Sequence, residues 1–203
     1  MIVWTNQPYS VYEQLMATGS FSCTPALAIN LNDGFDDFAR AYAWMIKQMK
    51  RRIGQPPAGV TTPIWAWYRM NFQHRRPDFR MDRDFDDQVC MEIEIDEAQI
   101  LLSDFENWNF VLNDWYLAKV SNEDDWNRQE AWFDQLPAAR QTRVKERSWQ
   151  RIFDITPAHG DWTRNGDCVQ GCFWQLNRNQ VRRAWRLRKG KRMVELGVPT
   201  LSK

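Results

Sequence analysis

The chain opens with the stretch Ile2-Val3-Trp4-Thr5-Asn6-Gln7-Pro8, which predicts a β-strand. Its β-branched and aromatic residues favour an extended backbone, and the proline ends the strand because it has no N–H to donate. Alternate residues of a strand share a face, so Thr5 and Gln7 point to the same side. A strand at this position needs partner strands from farther along the chain.

Partner strands are predicted wherever apolar and polar residues alternate. The clearest case is 89–95, where valine, methionine and isoleucine alternate with glutamate. In 181–188 the alternating polar residues are arginines, which predicts a strand with a basic outer side. The complete set of predicted partner strands is 63–70, 89–95, 101–102, 168–176 and 181–188.

Apolar residues at helical spacing predict helices between these strands. The first helix follows Ser10, which forms a predicted capping box with Glu13, and Gly19 is predicted to end it. Further helices are predicted at 36–53, 108–116, 124–136 and 140–153. Residues 1–203 therefore predict a single α+β domain with small mixed or antiparallel sheets, similar to a split barrel, and with inserted helices.

Two segments are predicted to be flexible. The loop 74–87 is charged and poor in apolar residues, and the tail 189–203 begins with a basic run. The composition otherwise fits a globular protein, because 43% of the 203 residues are hydrophobic and 26% are charged. Its 27 basic and 26 acidic residues give a net charge of +1, so no overall field attracts nucleic acid or membranes.

Charge is nevertheless unevenly distributed along the chain. Residues 82–106 contain ten acidic residues and one basic residue, whereas 178–192 contain eight basic residues and no acidic one. The favoured interpretation is two solvated faces that balance each other. The alternative is a basic strip that contacts the phosphates of nucleic acid, with the residues Arg178, Arg182, Arg183 and Arg186.

The four cysteines and two histidines lack the spacing of a zinc site, so no metal is expected. A Cys–His hydrolase is disfavoured because only His74 and His159 could activate a thiol. The chain has no Gly-rich phosphate loop, no secretory signal and no apolar run as long as a membrane span. We therefore expect a cytoplasmic protein with reduced thiols and no membrane contact.

Polar side chains beside aromatic rings form the most suggestive pattern. On the predicted strands these residues are Thr5, Gln7, Trp65, Trp67, Tyr68 and Gln170. Amides can hydrogen-bond while rings stack, so the set suits a flat, amide-bearing ligand such as a nicotinamide or a base. The residues alone slightly favour the other interpretation, a core of aromatic residues in a small barrel-like sheet with satisfied amides.

Six stretches carry a resemblance that covers nearly the whole chain: Met1–Pro8, Leu15–Gly19, Arg52–Tyr68, Glu92–Ile95, Leu101–Phe105 and Phe173–Leu176. They resemble a family of uncharacterised bacterial proteins, a domain of unknown function whose members begin with a Trp-Thr-x-Gln-Pro strand. This resemblance implies no established activity.

The order of elements carries a second resemblance: a strand, a helix and a glycine first, an aromatic strand later, and a polar-led strand before a basic one. It is similar to compact ADP-ribosyltransferases, which include DNA-modifying toxins and RNA 2′-phosphotransferases. The resemblance implies that Thr5 or Gln7 holds NAD, that Tyr68 or Trp67 stacks on the nicotinamide, and that Gln170 acts on the ribose. The chain departs from the pattern, because its first strand lacks Arg or His and its late strand lacks Glu. A neutral Gln170 cannot be a general base.

We thus predict an NAD-dependent ADP-ribosyltransferase, a transferase acting on a nucleic acid or a protein. Gln170 would be its catalytic residue, with Thr5 and Gln7 holding the other ribose or the amide. Arg52 or Arg69 would pair with the pyrophosphate. The alternative is a non-enzymatic module that binds nucleic acid or protein through the aromatic strands and the basic strip. A structural or antitoxin-like partner protein is the third hypothesis.

Overall fold

The computed structural model describes residues 1–25, 36–78, 86–160, 162 and 164–198. Its strands are β1 (Ile2–Pro8), β2 (Ser20–Phe21), β3 (Ile64–Arg69), β4 (Asp87–Glu94), β5 (Leu101–Asp104), β6 (Val169–Phe173), β7 (Leu176–Asn177), β8 (Val181–Arg188) and β9 (Val194–Leu196). Its helices are α1 (Tyr9–Thr18), α2 (Asp36–Arg52), α3 (Phe105–Leu112), α4 (Glu123–Asp134) and α5 (Ala138–Ser148). A 3-10 turn, Trp149–Phe153, follows α5 directly.

β1 is the central strand of a seven-stranded sheet with the order β5-β6-β3-β1-β4-β8-β9. All six pairings between neighbouring strands are antiparallel. β2 and β7 form a separate two-stranded sheet. The predicted single α+β domain with antiparallel sheets is confirmed. The described strands do not close into a barrel, because β5 and β9 lie at opposite edges of the large sheet.

The sequence of β1 suits the central position because both of its faces are buried. Val3 and Thr5 are fully buried on one face, and Trp4 is buried on the other. The Trp4 indole Nε1 donates to Glu92 Oε2 at 3.1 Å across the β1–β4 pair. This bond satisfies the one polar group of a buried tryptophan side chain.

The main hydrophobic core lies between α1 and one face of the sheet. α1 contributes Val11, Tyr12 and Leu15. The sheet contributes alternate residues of its central strands, among them Val3, Ile64, Ala66, Val89, Met91, Ile93 and Phe173. As predicted, α1 ends at Gly19, whose left-handed φ of 87° lets its N–H donate to Leu15 O.

A second hydrophobic cluster covers the opposite face of β3, β5 and β6. It contains residues of α2, α3 and the 3-10 turn, among them Met45, Met49, Trp108, Val111, Trp149 and Ile152. Leu101 and Cys172 are its contacts from the sheet. A third and smaller cluster of Trp4, Cys90, Trp185 and Leu187 lies on the same face, toward β8.

Several predicted helix boundaries are wrong. α1 begins at Tyr9 after Pro8 with no side-chain cap, so the predicted capping box does not form. α3 begins at Phe105, three residues early, because Asp104 caps it: Asp104 Oδ1 accepts from Asn107 N at 2.8 Å. The predicted helix 140–153 divides into α5 and the 3-10 turn.

The predicted mobile loop 74–87 and flexible tail 189–203 lie partly outside the described residues, which omit 79–85 and 199–203. At the start of the loop, His74 Nε2 lies 2.8 Å from Ile2 O. Within the tail, β9 pairs with β8, and Glu195 lies opposite Trp185. Flexibility in either segment stays a prediction. In the part of the chain described here, no helix is long and apolar enough to cross a membrane.

Candidate functional site

A cavity of about 420 Å³ lies where β1 ends and β3 begins. Gln7 and Ile64 line it from the face of the sheet that packs on α1, whereas Asn6 and Trp65 line it from the opposite face. Residues of both faces can meet in one cavity only at an end of the sheet where two strands separate. The pairing of β1 with β3 is consistent with such a separation, because the register contains one Cα pair, Trp4 opposite Trp67.

Thr5 spans the separation between these two strands. Its Oγ1 donates to Trp65 O at 2.8 Å, and it accepts from Gln7 Nε2 at 2.9 Å. Because Thr5 is fully buried, both bonds are shielded from water. The hydroxyl therefore links β1 to β3, as a backbone hydrogen bond does between other strands of the sheet. It also positions the Gln7 amide at the cavity.

The substitution Thr5→Val tests this bridge because it keeps the shape of the side chain and removes the hydroxyl. We expect the free energy of unfolding to fall by about 1–3 kcal/mol, since the Trp65 carbonyl loses a buried donor. Urea denaturation measures the change. Thr5→Ser keeps the hydroxyl and should cost less than half as much. Equal losses for the two variants would show that the methyl group, and not the bridge, stabilises this end of the sheet.

Aromatic rings form one part of the cavity wall. The Trp65 ring lies 5.4 Å from that of Trp108 and 5.9 Å from that of Tyr42, and the Trp67 ring lies 5.0 Å from that of Phe105. These pairs are tilted or edge-on, so they hold one another while ring faces stay available for stacking. Burial raises the pKa of the Tyr42 hydroxyl to about 12. Tyr42 is therefore a neutral hydroxyl at physiological pH.

Four carboxamide side chains also line the cavity, those of Asn6, Gln7, Asn109 and Gln170. Gln170 lies between Trp67 of β3 and Ser103 of β5, and it is 7% exposed. Among the described residues, its Nε2 has no hydrogen-bond partner. A buried amide without a partner is costly, and such groups in native proteins call for an explanation. A hydrogen-bond acceptor on a ligand in the cavity would explain the unpartnered Gln170 amide.

No charged side chain lines the cavity in the described part of the chain. Its polar lining consists of carboxamides and hydroxyls, and Cys23 and Tyr42 are its titratable groups. Burial raises the pKa of Cys23, which keeps the thiol protonated. The described lining can thus hold a planar molecule by stacking and by paired donor and acceptor bonds, and it offers no carboxylate or imidazole for proton transfer.

The structure brings together some of the predicted site residues. Gln7, Trp67 and Gln170 line the cavity, and Thr5 lies directly behind Gln7. Tyr68 does not line it: its ring lies 4.6 Å from that of His74 and packs against the α1 core.

The two predicted pyrophosphate cations also lie away from the cavity lining. Arg69 Nη1 donates to Ile155 O and Gly166 O, both at 2.9 Å. Arg52 lies at the end of α2, in a separate cleft that shares no lining residue with the cavity. A pyrophosphate held by either arginine would extend out of the cavity.

Acidic side chains form ion pairs with the β8 arginines of the predicted nucleic-acid-binding strip. Arg182 pairs with Glu94, Arg183 with Glu195, and Arg186 with Asp87. The remaining member, Arg178, donates from Nη1 to Met16 O at 3.0 Å. Asp87 and Glu94 come from the acidic stretch noted in the sequence, so the two charged regions balance each other locally.

Sequence patterns missed the helical side of the cavity. Four residues of α3 face it, namely Phe105, Trp108, Asn109 and Leu112. Their spacing of three, four and seven residues is that of one helical face. The sequence signal for this side was Asn109, a carboxamide within an otherwise apolar face of the helix. Phe38 and Tyr42 of α2 complete this side at a spacing of four.

Burial governs the chemistry of Cys90, Cys172 and Asp104. The four cysteines are free, and burial raises the pKa of Cys90 to about 12 and also raises that of Cys172. Buried, protonated thiols are poor nucleophiles. Asp104, whose pKa burial raises, accepts from Asn107 N and Gly166 N and serves as a helix cap. In the described ranges, no group of three or more His, Cys, Asp or Glu could hold a metal ion.

Comparison with known proteins identifies a family. The model of the family described as "Domain of unknown function (DUF3841)" matches residues 2–182, from β1 into β8. The chain belongs to this family. The family match includes every residue that lines the cavity. No curated protein and no solved structure matches the chain.

Proposed function

We propose that the cavity binds a planar heteroaromatic ring that carries amide or carbonyl groups, and that the nicotinamide of NAD, a pyridinium with a carboxamide, is such a ring. The main support for this proposal is the buried Gln170 amide, whose Nε2 has no hydrogen-bond partner among the described residues. A carboxamide can donate to and accept from the amide of a nicotinamide or the edge of a base. Trp65 and Trp67 supply stacking faces beside it.

The enzymatic form of this proposal is ADP-ribosyl transfer. The bond between nicotinamide and ribose C1′ would break, nicotinamide would leave with the electron pair, and an acceptor nucleophile would bond to C1′ and release its proton to solvent. Gln170 would orient a ribose hydroxyl, and Gln7, positioned by Thr5, would hold the nicotinamide amide. The cavity lining contains no carboxylate base in its described part, so the acceptor must react without one.

Gln170→Leu separates a binding role from a structural one. Leucine removes an unpartnered buried amide, so we expect the ligand-free protein to be as stable as the parent or more stable. Affinity should fall by about fivefold or more, because the acceptor that Gln170 contacts loses its donor. That acceptor is the amide of a free ring or, in NAD, a ribose hydroxyl. Calorimetry and thermal denaturation with nicotinamide, NAD, adenine and cytosine measure both effects.

Gln14→Leu on the exposed side of α1 is the matched control and should leave affinity unchanged. If none of the four compounds raises the melting temperature of the parent protein, the ligand class is wrong. The enzymatic form needs a further result: biotinylated NAD should label a nucleic acid or protein in cell extract, and the label should be lost with Gln170→Leu. Ring binding without labelling would leave a binding protein.

A further inference from the structure

A second concave region lies between the end of α2 and α5, and basic side chains surround it. This basic cleft has a volume of about 640 Å³. Its charged lining residues are five cations and one acid, namely Lys47, Arg51, Arg52, Arg143, Arg147 and Glu146. About 90 residues of sequence separate the two groups of cations, so the fold alone creates this concentration of charge.

The cations of the basic cleft differ from those of β8 in their pairing. All five are exposed, and none forms an ion pair with a carboxylate among the described residues. Three arginines of β8, in contrast, each pair with an acidic side chain. The basic cleft therefore gathers five cations whose charge no described carboxylate balances through an ion pair.

The floor of the cleft is preorganised. Gln150 Nε2 donates to Gln48 Oε1 at 3.2 Å, and Gln150 Oε1 accepts from Arg52 Nη2 at 2.9 Å. The Arg52 guanidinium lies 4.1 Å from the Phe153 ring centroid, in cation–π contact. These contacts fix Arg52 before any ligand arrives, which lowers the entropy cost of binding an anion.

The positive charge continues beyond the cleft along α5. Arg140, Arg143 and Arg147 are spaced by three and four residues, so they form one row on the helix. Seven residues correspond to about 10 Å along a helix axis. A row of this length is too long to contact one phosphate group, and it suits successive phosphate groups along a polymer.

We propose that the basic cleft and the α5 row bind the phosphodiester backbone of a nucleic acid. Arginine favours phosphate because its planar fork donates two parallel hydrogen bonds. Charge alone would also attract an anionic membrane. The cleft is concave, however, and its one aromatic lining residue, Trp44, is 8% exposed and cannot insert into lipid. This site shares no residue with the cavity proposed to bind a heteroaromatic ring.

Fluorescence anisotropy with labelled single- and double-stranded DNA of about 20 nucleotides, longer than common single-strand site sizes, tests the proposal across a range of salt concentrations. The triple variant Arg51→Gln, Arg143→Gln, Arg147→Gln is expected to weaken binding by about tenfold or more at low salt. The slope of log affinity against log salt should also fall by about 2 for single strands, since each lost phosphate contact removes about 0.7.

The matched control is Arg182→Gln, Arg183→Gln, Arg186→Gln, which removes the same charge from the ion-paired arginines of β8. It should change affinity less than threefold. Three outcomes would each overturn the proposal: no binding by the parent protein, an equal loss in both triple variants, or a loss confined to the β8 variant. Binding to vesicles of phosphatidylserine and phosphatidylcholine, without binding to DNA, would also overturn it and would identify a membrane surface.

Discussion

Gly166→Ala is expected to lower the free energy of unfolding by about 3 kcal/mol or more, from left-handed strain and overpacking together. Gly166 has a φ of +65°, a conformation that side chains other than glycine adopt at a cost. An added Cβ would lie 2.5 Å from Ile155 O and 2.9 Å from Arg69 Nη1. The backbone oxygen cannot move aside as the end of a flexible side chain can.

Gly166 also hydrogen-bonds to the residue that caps α3 and to the last residue of β3, so its displacement has a large effect. Its N–H donates to Asp104 Oδ2 at 2.7 Å, and its carbonyl accepts from Arg69 Nη1 at 2.9 Å. Moving Gly166 would therefore loosen the cap of α3 and the end of β3 together.

Gly59→Ala is the matched control, because Gly59 also has a left-handed φ, +79°, but an added Cβ there meets nothing within 4 Å. This variant should lose about 1–2 kcal/mol, the cost of the backbone conformation alone. Chemical denaturation of both variants measures the difference between them. Equal losses would show that steric contact at Gly166 is relieved by movement of its neighbours.

Trp149→Ala is expected to destabilise the protein by about 3–5 kcal/mol, the usual range for emptying the site of a buried large aromatic residue. Trp149 is 2% exposed and is the largest of the almost fully buried side chains. Its indole Nε1 donates to Trp115 O at 2.8 Å, and its ring meets that of Trp44 edge-on at 5.5 Å. The substitution leaves a void between α2 and the 3-10 turn.

Trp132→Ala provides the comparison on α4, where the tryptophan side chain is 45% exposed. Its ring lies 6.2 Å from that of Tyr116, and α4 buries no residue. A loss of about 0.5 kcal/mol is expected, as for other surface substitutions. A loss at Trp132 comparable to that at Trp149 would mean that α4 packs more tightly in solution than its exposure indicates.

The two tryptophans show where sequence reasoning stops. Trp132 lies in a helix that the sequence predicts, and Trp149 lies in the 3-10 turn that ends the predicted helix 140–153. Helical spacing reports which residues share a face, but it does not report whether another element covers that face. Trp149 lies against α2 from a hundred residues earlier in the chain. The aromatic residues of α4 instead contact Phe110 and Tyr116, which lie close to α4 in the sequence.

The site divides in the same way. The strand side, with Gln7, Trp67 and Gln170, could be predicted because alternation places amides and rings on known faces. The helix side could not, because α3 reaches the cavity only through the cap at Asp104 and the packing of α3 on the sheet. Tyr68 was grouped with these residues by its position in sequence, and the structure places it against His74.

The sequence by itself determined the strands β1, β3, β4, β5 and β8, the end of α1 at Gly19, the single α+β domain and the family, because these depend on local periodicity, backbone preference and motif. Only the tertiary structure decided that β1 is central, that β1 and β3 separate around a cavity, and which positive charges remain unpaired. Contacts between distant segments set all three. Glu94 lies beside Arg182 because β4 pairs with β8, and Arg51 and Arg143 line one cleft because the fold brings α5 near the end of α2. Such pairings depend on the whole chain.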